Sequence, residues 1–144
     1  MSRSKFVSLA AGLSLALTMG VHAAGQGAST AQSLGSVTLP HAVMVDGQRL
    51  ASGAYSLRFT GESAQAVVGE SPNSECWVEF LQGKTVKGRE VAVVMSKEQA
   101  KQVAKGDQPS AGAHSVELLK GNDYYRVWIN RSGTNYLLHL QIAK

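Results

Sequence analysis

The sequence predicts an all-β domain, a small antiparallel β-sandwich or partly closed barrel, with one short surface helix at about residues 96–105. Three observations predict it. From residue 36 onward, short runs rich in Val, Leu, Tyr and Thr alternate apolar with polar side chains. Turn dipeptides that favour positive φ, Asp46-Gly47, Gly121-Asn122 and Ser132-Gly133, fall between such runs. A single stretch, opening at Ser96, carries a helix start signal.

Residues 1–23 are expected to be an address and not part of the fold. Arg3 and Lys5 precede a Leu/Ala-rich uncharged stretch from Phe6 to Val21, and Val21 and Ala23 occupy the −3 and −1 positions of a small-residue cleavage site. The apolar stretch is shorter than the roughly 20 residues of a spanning helix. No cysteine follows it to carry a lipid. Cleavage after Ala23 implies a periplasmic or secreted protein with no membrane span in its mature form. It also removes Arg3 and Lys5, which lowers the formal charge from +4 to +2. The remaining basic residues are scattered, so the basic stripe of a nucleic-acid-binding face is missing.

Residues 24–35 are small and polar without a period and read as a flexible leader, which leaves 36–144 as a single β domain. Val37–Leu39 and Ala42–Val45 come first, with Pro40 between them marking an edge or a bend. Ala54 to Thr60 sets Tyr55, Leu57 and Phe59 against Ser56, Arg58 and Thr60. Gln65–Val68 and Cys76–Leu81 follow as strands, and then Val86–Met95, with Gly88 as a candidate bulge. Ser96 and Gln99 match a capping box, helix propensity continues to Ala104, and Lys105-Gly106 supplies a stop. A βαβ crossover over 86–119 stays open as a local alternative.

The C-terminal runs His114–Lys120, Asp123–Arg131 and Thr134–Ile142 form a meander whose register follows from its two turns. Counting from Gly121-Asn122 sets Leu118 opposite Tyr125 and Val116 opposite Val127. Counting from Ser132-Gly133 sets Ile129 opposite Tyr136, Val127 opposite Leu138 and Tyr125 opposite Leu140. One face is then uniformly apolar. The other carries the rows Glu117–Arg126–His139, Ser115–Trp128–Leu137 and Leu119–Tyr124–Gln141. Opposed side chains on a sheet lie close enough to act together. Glu117, Tyr124, Arg126, Trp128 and His139 therefore form a candidate ligand-binding face, with aromatics to stack on a sugar or apolar group and Arg126 to fix a carboxylate or phosphate. The same rows also fit plain packing, with Glu117–Arg126 as a surface ion pair and Trp128, Tyr124, Leu119 and Leu137 beneath the leader, the helix or a second sheet.

Other chemistry finds little support in the residues. His41, His114 and His139 lack paired spacing, so no metal site is predicted. A nucleophile elbow and an SxxK pair are both missing, and no catalytic residue is assigned. One cysteine excludes an intramolecular disulfide framework. Cys76, alternating with Val78 and Phe80, reads as a small core side chain. Glu75 and Glu79 share a strand face with Trp77 and read as its solvated side. No strand–glycine-loop–helix context supports a phosphate cradle, and no cofactor is implied.

The segment Leu50-Ala-Ser-Gly-Ala-Tyr55-Ser-Leu-Arg-Phe59 resembles the LxxGxYxL strand of exported β-sandwich domains, including carboxypeptidase-regulatory and transthyretin-like modules. With WVEF, KGREVAVV and KGNDYYRVWIN, most of the mature chain is similar to a set of small exported bacterial β-sandwich proteins. The resemblance implies a β fold and export, and it carries over no activity and no catalytic residues. The expectation is an exported binding or structural domain without catalysis of its own, with a small molecule, a glycan or an envelope protein as its partner. The alternatives are a small extracytoplasmic enzyme using a dispersed site that includes His139 and Glu117, or an envelope assembly factor that recognises protein through a strand edge.

Overall fold

The computed structural model describes residues 31–64, 75–104 and 108–144. The expected signal peptide, most of the leader, the Gln65–Val68 strand and the Lys105-Gly106 stop lie outside these residues. Nine strands and one helix follow in the order β1 (Gln32–Leu39), β2 (Val43–Val45), β3 (Gln48–Leu50), β4 (Gly53–Ser63), β5 (Glu75–Gln82), β6 (Thr85–Met95), α1 (Lys97–Val103), β7 (His114–Leu118), β8 (Tyr124–Arg131) and β9 (Thr134–Ile142).

All nine strands belong to one antiparallel sheet. Setting aside the β2–β3 hairpin, the remaining strands pair in the order β1-β4-β5-β6-β9-β8-β7. The sheet curls until its end strands, β1 and β7, approach each other. Because every pairing is antiparallel, those two end strands run parallel. A single core then fills the interior, drawing Leu34, Val37 and Leu39 from β1, Leu57 from β4, Phe80 from β5, Ile129 from β8 and Leu138 from β9. One continuous sheet around one core is a nearly closed barrel, and it decides between the two architectures the sequence left open.

Period-2 alternation explains most of these elements. Tyr55 and Leu57 of β4, and Cys76, Val78 and Phe80 of β5, point inward as the sequence pattern requires. Tyr55 keeps its polar end satisfied by donating to the Ala51 carbonyl at 2.8 Å. The expected turns are also present. Asp46-Gly47 and Ser132-Gly133 have both φ values positive, as do Gly121 and Asn122, which lie in a connection longer than two residues between Leu118 and Tyr124, and the meander register agrees with the counted one from Leu118–Tyr125 onward.

Strand ends shift by a few residues, and the start of β1, the end of α1 and the connection after it differ from expectation. The leader was expected to run to residue 35, but β1 already begins at Gln32, and Leu34 is 4% exposed in the core. A register shift between Ser33 and Gly35 puts Leu34 and Val37 on the same side despite their odd spacing, which hides the period. The helix carries the expected capping box, with Ser96 accepting from the Gln99 backbone and Gln99 accepting from the Ser96 backbone. It ends at Val103, short of the expected residue 105. No βαβ crossover forms around it, because β7 pairs with β8 on the far side of β9 from β6.

The β2–β3 hairpin positions the candidate site. β9 pairs with β6 only along Asn135–Leu137, and with β2 at Gln141–Ile142. Between those stretches β6 and β9 part, and the hairpin fills the opening. Gly88 of β6 makes this possible. It lies at a register shift in which Lys87 is the extra residue, and an added Cβ there would come within 2.5 Å of Val45 Cγ2.

Candidate functional site

The outer face of the meander carries the rows that counting predicts, and the structure divides their residues into exposed and covered. Glu117, Arg126 and His139 are cross-strand neighbours on β7, β8 and β9. Arg126 donates from Nε at 3.2 Å and from Nη2 at 2.6 Å, both to Glu117 Oε2. Its guanidinium is therefore committed to a surface partner, in a pair worth about 0–1 kcal/mol. The sequence offered this guanidinium as the group to fix a carboxylate or phosphate, and in the structure both of these bonds go to Glu117. Glu117 and His139 are not neighbours, since Arg126 lies between them.

Trp128 is the residue the structure removes from the exposed face. It is 3% exposed and packs with Leu137 and Met95 beneath Ala100 of α1, the fully buried side chain of that helix. Its indole N–H donates to Asn135 Oδ1 at 2.8 Å. Tyr124 has the same alternation phase on the same strand and is 42% exposed, because α1 does not extend over it.

Tyr124 faces Gln141 on β9, and Gln141 faces Met44 on β2, so a ring, an amide and a thioether form one row across three strands. Beside this row the parted strands leave a groove of about 350 Å³, lined by Met44, Asp46, Glu90, Tyr124, His139 and Gln141. Glu90 shares the inward phase of Gly88 and Ala92, yet lies where the strands part. Its Oε2 accepts from the Asp46 backbone N–H and its Oε1 from the Val91 N–H, both at 3.0 Å. Asp46 in turn accepts from Arg89 at 3.2 Å, and the Arg89 guanidinium stands 4.1 Å over the Trp77 ring. Sequence reasoning missed Met44, Asp46 and Glu90 as part of the site. Its only signal for them was the Asp46-Gly47 turn, whose docking against β6 and β9 depends on long-range pairing.

Burial, and then the Arg126 guanidinium opposite, hold the His139 imidazole below its ordinary value. Asp46 and Glu90 face it from the hairpin and β6 without reversing that direction. The folded protein therefore binds the His139 proton less readily than the unfolded chain. This contribution to stability is intact above about pH 6.5 and declines as pH falls from there through the lowered value. His139→Gln should accordingly lose less melting temperature than the parent between pH 7 and pH 5. Because His139 is only partly shielded, with much of its surface open to solvent, the difference is expected to be small. Parallel melting curves for the two proteins across this range would show that His139 carries no such term.

The other sequence candidates are placed as follows. Cys76 is buried, and burial pushes its thiol up, which keeps it protonated and unreactive. Glu79 accepts from Arg58 Nε at 2.7 Å, so the Glu75–Trp77–Glu79 face holds a paired carboxylate. His41 hydrogen-bonds the Tyr125 hydroxyl and so ties the bend after β1 to β8. A larger hollow of about 530 Å³ lies between Lys97, Pro109 and Ser132. Its buried polar side chain, Asn130, is already engaged with the Pro109 carbonyl and the Gly133 N–H. Among the described residues no group of three or more His, Cys, Asp or Glu side chains is arranged to hold a metal ion, and no helix is long and apolar enough to cross a membrane. Comparison with family models, curated proteins and solved structures finds no match.

Proposed function

We propose that this chain is an exported, periplasmic or secreted binding domain without catalysis of its own, which takes its ligand on the outer surface of the barrel around Tyr124, Arg126 and His139. The supporting observation is the groove where β6 and β9 part, beside a 42%-exposed tyrosine, on a barrel whose interior is filled by its own side chains. Small barrels of this size pack their centres, so an external concavity is where a ligand finds room. The signal-peptide pattern of residues 1–23 and the resemblance of Leu50–Phe59 to the LxxGxYxL strand of exported β-sandwich domains support the export part of the reading.

Native mass spectrometry of the protein taken directly from the producing cells tests this reading. The expected result is a retained non-covalent mass that Tyr124→Ala abolishes while the melting temperature stays within a few degrees of the parent. A bare mass, or a retained mass indifferent to Tyr124→Ala, overturns it. So does a turnover that His139→Ala abolishes without loss of stability, which would move the chain to the enzyme alternative.

A further inference from the structure

We propose that the groove beside Tyr124 is a site for a neutral saccharide; this deepens the external-binding reading and rests on it. The argument begins with what the lining residues exclude. Asp46 and Glu90 bring two carboxylates to the groove, and neither Lys nor Arg is among its described lining residues. Of the guanidiniums around it, Arg126 is directed to Glu117 and Arg89 to Asp46 and the Trp77 ring, while Arg49, opposite Met44 on β3, is not part of the lining. An anionic ligand would meet carboxylate oxygens and no free cation in that lining, which disfavours it.

A cationic ligand is the next class to weigh. It would draw on the two carboxylates, but their charge is already answered within the protein. Glu90 accepts from two backbone N–H groups, and Asp46 accepts from the Arg89 guanidinium. Each carboxylate still has lone pairs free for neutral hydroxyl donors. The groove is thus rich in hydrogen-bond acceptors without being a strong cation trap. The held-down imidazole of His139 adds one donor and one acceptor in its neutral form, and the Gln141 amide adds both as well.

The geometry supplies the rest. Tyr124, Gln141 and Met44 lie side by side across β8, β9 and β2, at the inter-strand spacing of about 4.8 Å. The apolar face of a pyranose ring can rest on the exposed Tyr124 ring, with the Met44 thioether bounding the far side of Gln141. Its equatorial hydroxyls then reach the Gln141 amide, the His139 imidazole and the two carboxylates. A hexose unit is the neutral ligand that combines one C–H face with a rim of hydroxyls. The volume, about 350 Å³, sits at the low end of ligand pockets and suits a small sugar entering from the side.

The test is an amide-resolved NMR titration of the isotope-labelled full chain. The probes are glucose, galactose, N-acetylglucosamine and chitobiose, with citrate and spermidine as charged comparators. The expected result is that at least one neutral saccharide shifts the signals of Met44, Tyr124, His139 and Gln141 together. Tyr124→Ala should then weaken that saccharide about tenfold, the loss expected for one stacked ring, while Tyr124→Phe preserves binding. Shifts with spermidine or citrate alone overturn the saccharide assignment and leave the external-binding reading standing. Saccharide shifts confined to residues outside the groove also overturn it. If no probe shifts these residues, the saccharide assignment falls, and the retained mass in the native spectrum decides separately whether the binding reading falls with it.

Discussion

Trp128→Ala is expected to lower stability by about 3–5 kcal/mol, a fall in melting temperature on the order of 10–20 °C for a domain of this size. Two costs combine. The substitution empties a site that is 3% exposed between Met95, Leu137 and Ala100 of α1, and it removes the donor to Asn135 Oδ1. Asn135 is fully buried, so its oxygen would be left without that partner, at about 1–3 kcal/mol. Trp128→Phe separates the terms, since it retains most of the apolar contact and loses only the donor. It should fall between parent and alanine variant.

Trp128→Ala should also release α1. A helix of 7 residues has no stability of its own, and this one is seated through Ala100 over the indole. Amide exchange in Lys97–Val103 should therefore speed up well before global unfolding does. A melting temperature close to the parent's, combined with lost ligand binding, would return Trp128 to the exposed face that its strand phase alone suggests.

The second large effect is expected at Gly88, where alanine should cost about 1–3 kcal/mol and valine more. The cause is space. A Cβ at Gly88 would meet Val45 Cγ2 at 2.5 Å and Leu50 Cδ1 at 3.7 Å. Val45 is fully buried and branched at Cβ, so it cannot swing aside without leaving its rotamer. The strain should push the β2–β3 hairpin away from β6. That would also disturb the Asp46 N–H bond to Glu90 and one wall of the groove.

The double variant Gly88→Ala/Val45→Ala tests the mechanism. If this contact is limiting, the pair should be less destabilised than the sum of the two single variants, by more than about 0.5 kcal/mol. Strict additivity in equilibrium unfolding would place the role of Gly88 elsewhere. A groove-bound saccharide should bind Gly88→Ala more weakly than the parent, because Asp46 and Glu90 are presented together only when the hairpin is seated.

Much of this protein is legible in its sequence because much of it is decided between near neighbours. Asp46-Gly47, Gly121-Asn122 and Ser132-Gly133 specify tight turns through the φ values they tolerate. Once those turns are placed, period-2 alternation leaves one register that buries Tyr125, Val127, Ile129, Leu138 and Leu140 together, and the structure has that register. The Ser96–Gln99 capping box is equally local, since its two hydrogen bonds span one helical turn.

The start of β1 was not legible, because the irregularity at Leu34–Gly35 breaks the alternation that would have announced it. The site was legible only in part. Glu117, Arg126 and His139 are placed in one row by counting alone, and the Glu117–Arg126 ion pair that this row allows is present. Tyr124 and Trp128 have the same phase on the same strand, and sequence gives them equal standing on the outer face. The difference between them comes from α1, which covers one and stops short of the other.

The sequence by itself thus determined the all-β class, the turns, the meander register and the helix start, each a consequence of backbone preference and side-chain period within a few residues. Only the tertiary structure decided closure into a barrel, the covering of Trp128 and the meeting of Met44, Asp46 and Glu90 with His139. Those depend on contacts such as Met44 with Gln141 and Gly88 with Val45, which join distant parts of the chain. No local propensity encodes such contacts, because they form only when a curled sheet brings its distant strands around one core.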